Sequence, residues 1–70
     1  MIIEIGIVAG EIWHFLETRP NRESILSELV TGIGRPRDLV LMSLGWLGRE
    51  GHVVLTNEPD FKIILRRESS

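Results

Sequence analysis

The stretch Leu44-Gly45-Trp46-Leu47-Gly48-Arg49-Glu50-Gly51-His52-Val53-Val54-Leu55 predicts a helix that ends at a glycine and passes directly into a β-strand. Gly51 suits the position just beyond a helix end, where the left-handed backbone conformation penalises any side chain. Val53 and Val54 are β-branched, which favours extended backbone. A third helix that stops at glycine and feeds a short hairpin is typical of a winged helix-turn-helix, so this stretch predicts that architecture.

Helix one is expected over residues 5–17, because apolar side chains recur there at the spacing that gathers them on one helix face. These side chains are Ile5, Val8, Ala9, Ile12, Phe15 and Leu16. Pro20 ends the helix, since the residue before a proline is pushed out of the helical region. For helix two, Asn21 can cap a segment over residues 22–30. Ser24 is a competing cap that would leave Arg22-Glu23 extended, and the sequence does not decide between them.

The third helix and the wing complete the expected fold. Gly32-Ile33-Gly34 is expected to form the turn, and Pro36 suits the first turn of helix three, predicted over residues 37–50. A strand over residues 52–56 places Val53 and Leu55 on one face, residues 57–60 form a turn, and a returning strand covers residues 61–66. The predicted class is mainly α within α+β: one domain over residues 1–66, with three helices and a two-stranded wing, then a polar tail over residues 67–70.

Size and composition favour a homodimer. A chain of 70 residues without cysteine has neither a disulfide framework nor a thiolate metal site. Such a small domain has little interior in which to bury the hydrophobic residues that make up 43% of its sequence. The start of the chain lacks a basic segment, and Glu4 and Glu11 interrupt its apolar run well before a membrane span is reached. We therefore expect a cytoplasmic protein with no membrane contact.

Glycines and exposed apolar residues mark a candidate interface. Each glycine inside a helix costs about 1 kcal/mol relative to alanine, and helices one and three carry two each. One alternative is close packing of the two helices inside the monomer; the other is a dimer seam. The outer arc of helix three is apolar, and the two tryptophans serve either as core residues or as interface anchors. The candidate interface residues are Leu41, Met42, Gly45, Trp46, Gly48, Gly6 and Gly10.

Basic residues give a nucleic-acid hypothesis. Arg35 and Arg37 flank the start of helix three, and further basic residues lie on the wing and just after it. The candidate phosphate contacts are Arg35, Arg37, Lys62, Arg66 and Arg67. Acidic neighbours partly cancel this charge, and the net charge is −2. A domain that depends on phosphate contacts usually has a pI above about 9 or a clear basic stripe, so any DNA binding is expected to be weak or shape-based.

Two tryptophan-centred blocks also resemble a known family. Ile5-Gly6 and Ala9-Gly10-Glu11-Ile12-Trp13 form the first block, and Leu44-Gly45-Trp46-Leu47 with Arg49-Glu50-Gly51 forms the second. Together they resemble small stand-alone winged helix-turn-helix proteins of unknown function from bacteria and archaea. The resemblance covers nearly the whole chain and implies a winged helix that is often dimeric, with DNA binding presumed from the fold. It implies no catalytic residues.

Catalysis is not expected. His14 and His52 are the only histidines, and without cysteines or a spaced carboxylate pair they form no metal signature. The chain has no nucleophile elbow and no glycine-rich phosphate loop. We therefore expect neither an enzyme nor a cofactor. The primary hypothesis is a DNA-binding regulatory module, and the alternative is a homodimeric protein-interaction module on the same scaffold that does not bind DNA.

Overall fold

The computed structural model of the chain describes residues 2–56 and 61–66, with side chains described from residue 4 onward. Three α-helices, one short 3-10 helix at Pro20–Arg22 and three strands make up the described part of the fold. The helices are α1 (Ile2–Glu17), α2 (Leu26–Ile33) and α3 (Arg37–Arg49), and the strands are β1 (Glu23–Ile25), β2 (Val53–Thr56) and β3 (Lys62–Leu65). The strands form one antiparallel sheet in the order β1-β3-β2. The predicted winged-helix class is confirmed, and the sheet has one strand more than the predicted wing.

Helix α1 begins three residues earlier than predicted and ends at Glu17, as predicted. Its buried face carries four of the six expected apolar residues, while Ile5 and Phe15 are half-buried. The Thr18 hydroxyl donates to the Phe15 carbonyl at 2.9 Å, which satisfies one of the carbonyls left free where a helix ends.

The prediction of a second helix capped by Asn21 is wrong. Asn21 and Arg22 have φ angles of 59° and 56°, so the backbone there is left-handed. Residues 23–25 then pair with β3, where Glu23 lies opposite Ile64. The extended backbone before α2 is closer to the alternative in which Ser24 caps the helix, although no side chain caps α2 in the structure. Ser24 donates to the Ile25 carbonyl at 3.0 Å instead.

Glycines end both α2 and α3. Gly34 has φ 73°, and its N–H donates to the Val30 carbonyl. Gly32 and Ile33 still belong to α2, so Gly34 is the only one of the three predicted turn residues that lies beyond the helix. Gly51 has φ 80°, which confirms the left-handed residue predicted there. Its N–H donates to the Gly48 carbonyl at 3.1 Å, and the next N–H donates to the Leu47 carbonyl at 2.9 Å. These two bonds form a Schellman motif, which turns the chain from α3 into β2.

The core lies between the helices and the inner face of the sheet. Ile63 and Leu65 on β3 and Val53 on β2 are buried, as the predicted alternation requires, and Phe61 is half-buried. The predicted turn at residues 57–60 and the polar tail at 67–70 lie outside the described residues. Side chains that are almost completely buried join α1, α2, α3 and β3 into one cluster: Val8, Ile12, Leu16, Leu29, Val40, Leu44, Leu47 and Ile63.

Candidate interaction surface on helix α3

Helix α3 has one fully buried face and one exposed apolar face. Its buried residues are Val40, Ser43, Leu44 and Leu47. On the other side, Leu41 is 37%, Met42 42% and Trp46 46% exposed. The exposed parts of these three side chains are apolar surface that a binding partner can cover. We call Leu41, Met42, Gly45, Trp46 and Gly48 the α3 strip.

The helix glycines are open, not packed. A Cβ placed on Gly6, Gly10 or Gly45 would meet nothing within 4 Å, and one on Gly48 would meet only the Leu55 Cδ1 atom at 3.9 Å. The interpretation in which these glycines let α1 and α3 approach inside the monomer is therefore wrong. Larger side chains elsewhere on the two helices make that contact. The glycines leave smooth strips on the molecular surface, and their role in an interface stays a prediction.

The two tryptophans have different environments. Trp13 is half-buried and packs against the core, as the core interpretation predicts. Its ring meets the His52 ring edge-on, with 4.9 Å between centroids and 67° between planes. The Trp46 ring is tilted against the same His52 ring, with 6.4 Å between centroids and 42° between planes. His52 is therefore a neighbour of both indoles, and Trp46, which is 46% exposed beside it, suits an interface anchor.

The α3 strip continues onto the wing. Leu55 lies beside Gly48 and is 37% exposed. The register places Leu55 opposite Ile63, on the side of the sheet that faces the core. Val54 is 44% exposed and points to the opposite side of the sheet. The apolar surface thus spans α3 and the inner side of β2, a continuity that helix periodicity alone does not reveal.

Arg35, the first of the predicted phosphate contacts, is held by α1. Its Nε and Nη2 atoms donate to the two carboxylate oxygens of Glu11, both at 2.9 Å. These hydrogen bonds, with the attraction between the two charges, outweigh desolvation and lower the pKa of the Glu11 carboxyl below its ordinary value. The same pairing raises the pKa of Arg35. Much of the Arg35 charge is therefore neutralised within the molecule.

The other predicted phosphate contacts are not brought together. Lys62 Nζ lies 3.4 Å from a carboxylate oxygen of Glu23 on the outer face of the sheet. Arg66 follows β3 at its far end, about 13 Å along the strand from Lys62 by strand geometry. Arg37 is exposed at the first residue of α3, and Arg67 lies outside the described residues. These positions make no continuous basic stripe.

Several residues near these sites were missed by sequence reasoning. Arg22 donates to the Arg66 carbonyl at 3.4 Å, and Arg19 pairs with Glu28 at 2.6 Å.

Ile7 is the most exposed large hydrophobic residue of the described chain, at 52%. The spacing of Ile7, Gly10, His14 and Glu17, which are three, four and three residues apart, is the signal in the sequence that could have revealed an outer stripe on α1.

No group of three or more histidine, aspartate or glutamate side chains within 4–56 and 61–66 is placed to hold a metal ion. In the same part of the chain, every helix is too short or too polar to cross a membrane.

Comparisons with known proteins agree with this architecture. A family model described as a winged helix-turn-helix domain (DUF2582) matches residues 2–66. The uncharacterized protein MJ1608 of Methanocaldococcus jannaschii is 33% identical over 64 residues, which are 90% of this chain and 91% of that protein. The solution NMR structure of protein BT2368 from Bacteroides thetaiotaomicron superimposes with a TM-score of 0.75 at 25% identity, covering 89% of this chain and 74% of that one. The predicted winged-helix fold is thereby confirmed.

Proposed function

This chain belongs to the winged helix-turn-helix domain family (DUF2582), and we propose that it uses the fold to bind protein rather than to read DNA sequence. One observation carries the proposal: the outward face of α3, the helix that would enter the major groove, is apolar and exposed at Leu41, Met42 and Trp46. The proposal involves no catalytic step.

The chemistry of α3 is poorly suited to base recognition. Readout in the major groove requires side chains that donate or accept hydrogen bonds at base edges. Between Asp38 and Arg49, the only side chains with such groups are Ser43 and the Trp46 indole. Ser43 is fully buried and donates to the Leu39 carbonyl at 2.8 Å. The middle of α3 therefore offers one indole N–H and an apolar surface to whatever it meets.

The same face is suited to a protein partner. Fully burying a leucine, methionine or similar side chain contributes about 1.5–3 kcal/mol, and tryptophan is enriched among the residues that dominate binding energies. Gly45 and Gly48 lie beside these side chains and present bare backbone. A partner can therefore approach α3 closely at the glycines while it covers the larger side chains on either side.

Photocrosslinking from the α3 strip tests this function. With a benzophenone amino acid in place of Met42, the proposal predicts discrete adducts in cells of the source organism that resist nuclease and disappear after protease treatment. Leu41→Glu should remove these adducts, because a carboxylate would lie in the apolar contact. Val54→Glu is the matched control and should leave the adducts unchanged, since Val54, at 44%, is at least as exposed as Leu41 and lies on the other side of the sheet.

Three outcomes would contradict the proposal. These are adducts that nuclease removes, adducts that persist in folded Leu41→Glu protein, and no adducts above the background of an unmodified chain. Circular dichroism of each variant establishes that the fold is retained, which is expected because both substituted side chains are exposed in the native structure.

DNA binding is the second candidate function, favoured by the fold and by Arg37. This residue is exposed at the start of α3 and has no ion-pair partner among the described residues. With Arg66 it could hold phosphates on either side of a groove. Nuclease-sensitive adducts in the crosslinking experiment would favour this candidate over the first.

A further inference from the structure

Strand β2 forms an open edge of the sheet. Strand β3 lies in the middle, so β1 and β2 each have one side without a neighbouring strand. Along an antiparallel pair, the backbone groups of successive residues point alternately toward the partner strand and away from it. The Arg66 N–H donates to the His52 carbonyl, so Val54, two residues further on, also faces β3. The backbone N–H and C=O groups of Val53 and Leu55 therefore point away from β3.

These outward backbone groups have no partner within residues 2–56 and 61–66. No hydrogen bond from outside the sheet reaches the backbone of Val53 or Leu55 in this part of the chain. An exposed edge strand is a template for pairing with another extended chain, and proteins usually block such edges with charged side chains, prolines or bulges. The residues of β2, Val53–Thr56, are uncharged, include no proline and pair with β3 in regular register.

The edge at β1, by contrast, is blocked. This strand has only three residues, with left-handed backbone at Asn21 and Arg22 before it and helix α2 directly after it. Glu23 also places a charge on this strand, where it pairs with Lys62. Of the two edges of the described sheet, β2 is therefore the one that can accept another strand.

Helix α3 lies beside the open edge and offers an added strand a second contact. It packs against β2, whereas α1 packs against β3. Leu55 faces the helix side of the sheet and is still 37% exposed, so the space beside it is not filled. Gly48 is next to Leu55, and a Cβ on Gly45, one turn earlier, would meet nothing within 4 Å. The β2 edge and the α3 strip are thus the two walls of a groove with room for side chains.

We propose that an extended segment of the partner protein adds to β2 as a fourth strand, an inference that rests on the proposed function and names the partner's chemistry. The backbone of the segment pairs with the outward N–H and C=O groups of Val53 and Leu55. Every second side chain of the segment is apolar and lies in the groove against Leu55 and the α3 strip. The alternate side chains lie on the outer side of the sheet with Val54 and stay in solvent.

The size of the edge fits a short segment and not a second folded domain. Four strand residues span about 14 Å, and two outward residues offer two donors and two acceptors. A stable complex of two folded proteins buries about 800 Å² on each partner, which is more than one short strand edge provides. An extended segment needs less area, because main-chain hydrogen bonds supply much of its affinity. We therefore expect a dissociation constant in the micromolar range.

The charge at the start of β2 favours an acidic segment over a basic one. Arg49 and Glu50 are exposed at the end of α3. Arg66 reaches over Gly51, where its Nη1 atom would lie 3.8 Å from a Cβ. Two guanidinium groups and one carboxylate leave a net positive charge beside the groove, which a carboxylate of the segment would complement.

Hydrogen exchange with a bound peptide tests the proposal. The probe is a peptide of about eight residues, selected from a displayed library of random sequences by its binding to the wild-type chain. In the free chain, the Leu55 amide proton should exchange rapidly, while that of Val54 is protected by its bond to β3. The bound peptide should slow exchange at Leu55 at least about tenfold.

Three results of this experiment would overturn the proposal. The first is that no peptide is recovered, and the second is a peptide that binds without protecting Leu55. The third is a Leu55 amide that is already protected in the free chain. Protection that increases with protein concentration would mean that a second copy of the chain occupies the edge.

Replacing one backbone amide by an ester separates strand pairing from side-chain contacts. A chain of 70 residues can be assembled chemically. An ester in place of the Leu55 amide removes an outward donor and keeps every side chain. It should weaken peptide binding about fivefold, the effect of one hydrogen bond, and leave the unfolding midpoint unchanged. The same change at Val54 is the matched control: it should lower the midpoint and leave the affinity of the folded chain unchanged.

The inference and the proposed function fail in different ways. Peptide binding that Leu41→Glu weakens and the Leu55 ester does not would keep α3 as the protein-binding surface and overturn strand addition. Binding that the ester weakens and Leu41→Glu does not would support the added strand and contradict the role assigned to the α3 strip. Binding that neither change weakens would contradict both.

Discussion

Leu44→Ala is expected to lower the free energy of unfolding by about 3 kcal/mol. Leu44 is 1% exposed and belongs to the core cluster that joins α3 to α1 and the sheet. Truncation removes buried methyl groups and leaves a cavity that the packed neighbours fill only in part. Since small domains are stable by only about 5–15 kcal/mol, urea unfolding followed by circular dichroism should show a large decrease in the midpoint.

Leu41→Ala is the matched control for this experiment. The two leucines are on the same helix, three residues apart, but Leu41 is 37% exposed. Its truncation removes fewer buried contacts and should cost less than about 1 kcal/mol. Similar losses for the two variants would mean that Leu41 is buried in the native protein. In that case the α3 strip would belong to the core and could not be a binding surface.

Gly51→Val is expected to lower the free energy of unfolding by about 2 kcal/mol, the second of the large effects. Gly51 has φ 80°, and its N–H closes the end of α3. A β-branched residue is strained in this conformation. The measurement is again urea unfolding. A weakened junction also loosens the His52 ring, which is a neighbour of both tryptophans, so the tryptophan fluorescence of the folded state should change.

Gly45→Ala is the control for the glycine substitution and should act in the opposite direction. Gly45 is helical and open, so alanine adds about 1 kcal/mol of helix propensity without meeting a neighbour. A Gly51→Val variant as stable as the wild-type chain would contradict the assigned left-handed junction. A destabilised Gly45→Ala variant would contradict the open surface assigned to α3.

Local signals in the sequence predicted most of the fold, and a long-range contact caused the main error. Gly51 and the valines after it indicate the junction of α3 and β2 because each acts on its own backbone. Strand β1 depends instead on pairing between Glu23 and Ile64, which are far apart in the sequence. The left-handed conformation of Asn21 and Arg22 follows from that tertiary arrangement. Capping preferences could not anticipate it, because they describe helix ends only.

The candidate surface, like the fold, was predicted from the sequence only in part. Helical periodicity was enough to place Leu41 and Met42 outside, since four buried residues determine the orientation of α3. The charge distribution was not predictable, because Arg35 pairs with Glu11 and Lys62 with Glu23 across different elements. Once these pairs are known, Arg37 and Arg66 are the predicted phosphate contacts that have no ion-pair partner among the described residues. This loss of available charge weakens the DNA-binding candidate, and the apolar, exposed outward face of α3 is the reason for ranking protein binding above it.

The most direct test of the central claim is a fluorescence-anisotropy titration of mixed-sequence duplex DNA at about 50 and about 200 mM salt. The wild-type chain and Leu41→Glu are compared. If α3 binds a protein partner, the wild-type chain and Leu41→Glu should bind the duplex equally weakly, or not detectably, at each of the two salt concentrations. Salt-sensitive binding by the wild-type chain that Leu41→Glu abolishes would place DNA against the α3 strip and contradict the account.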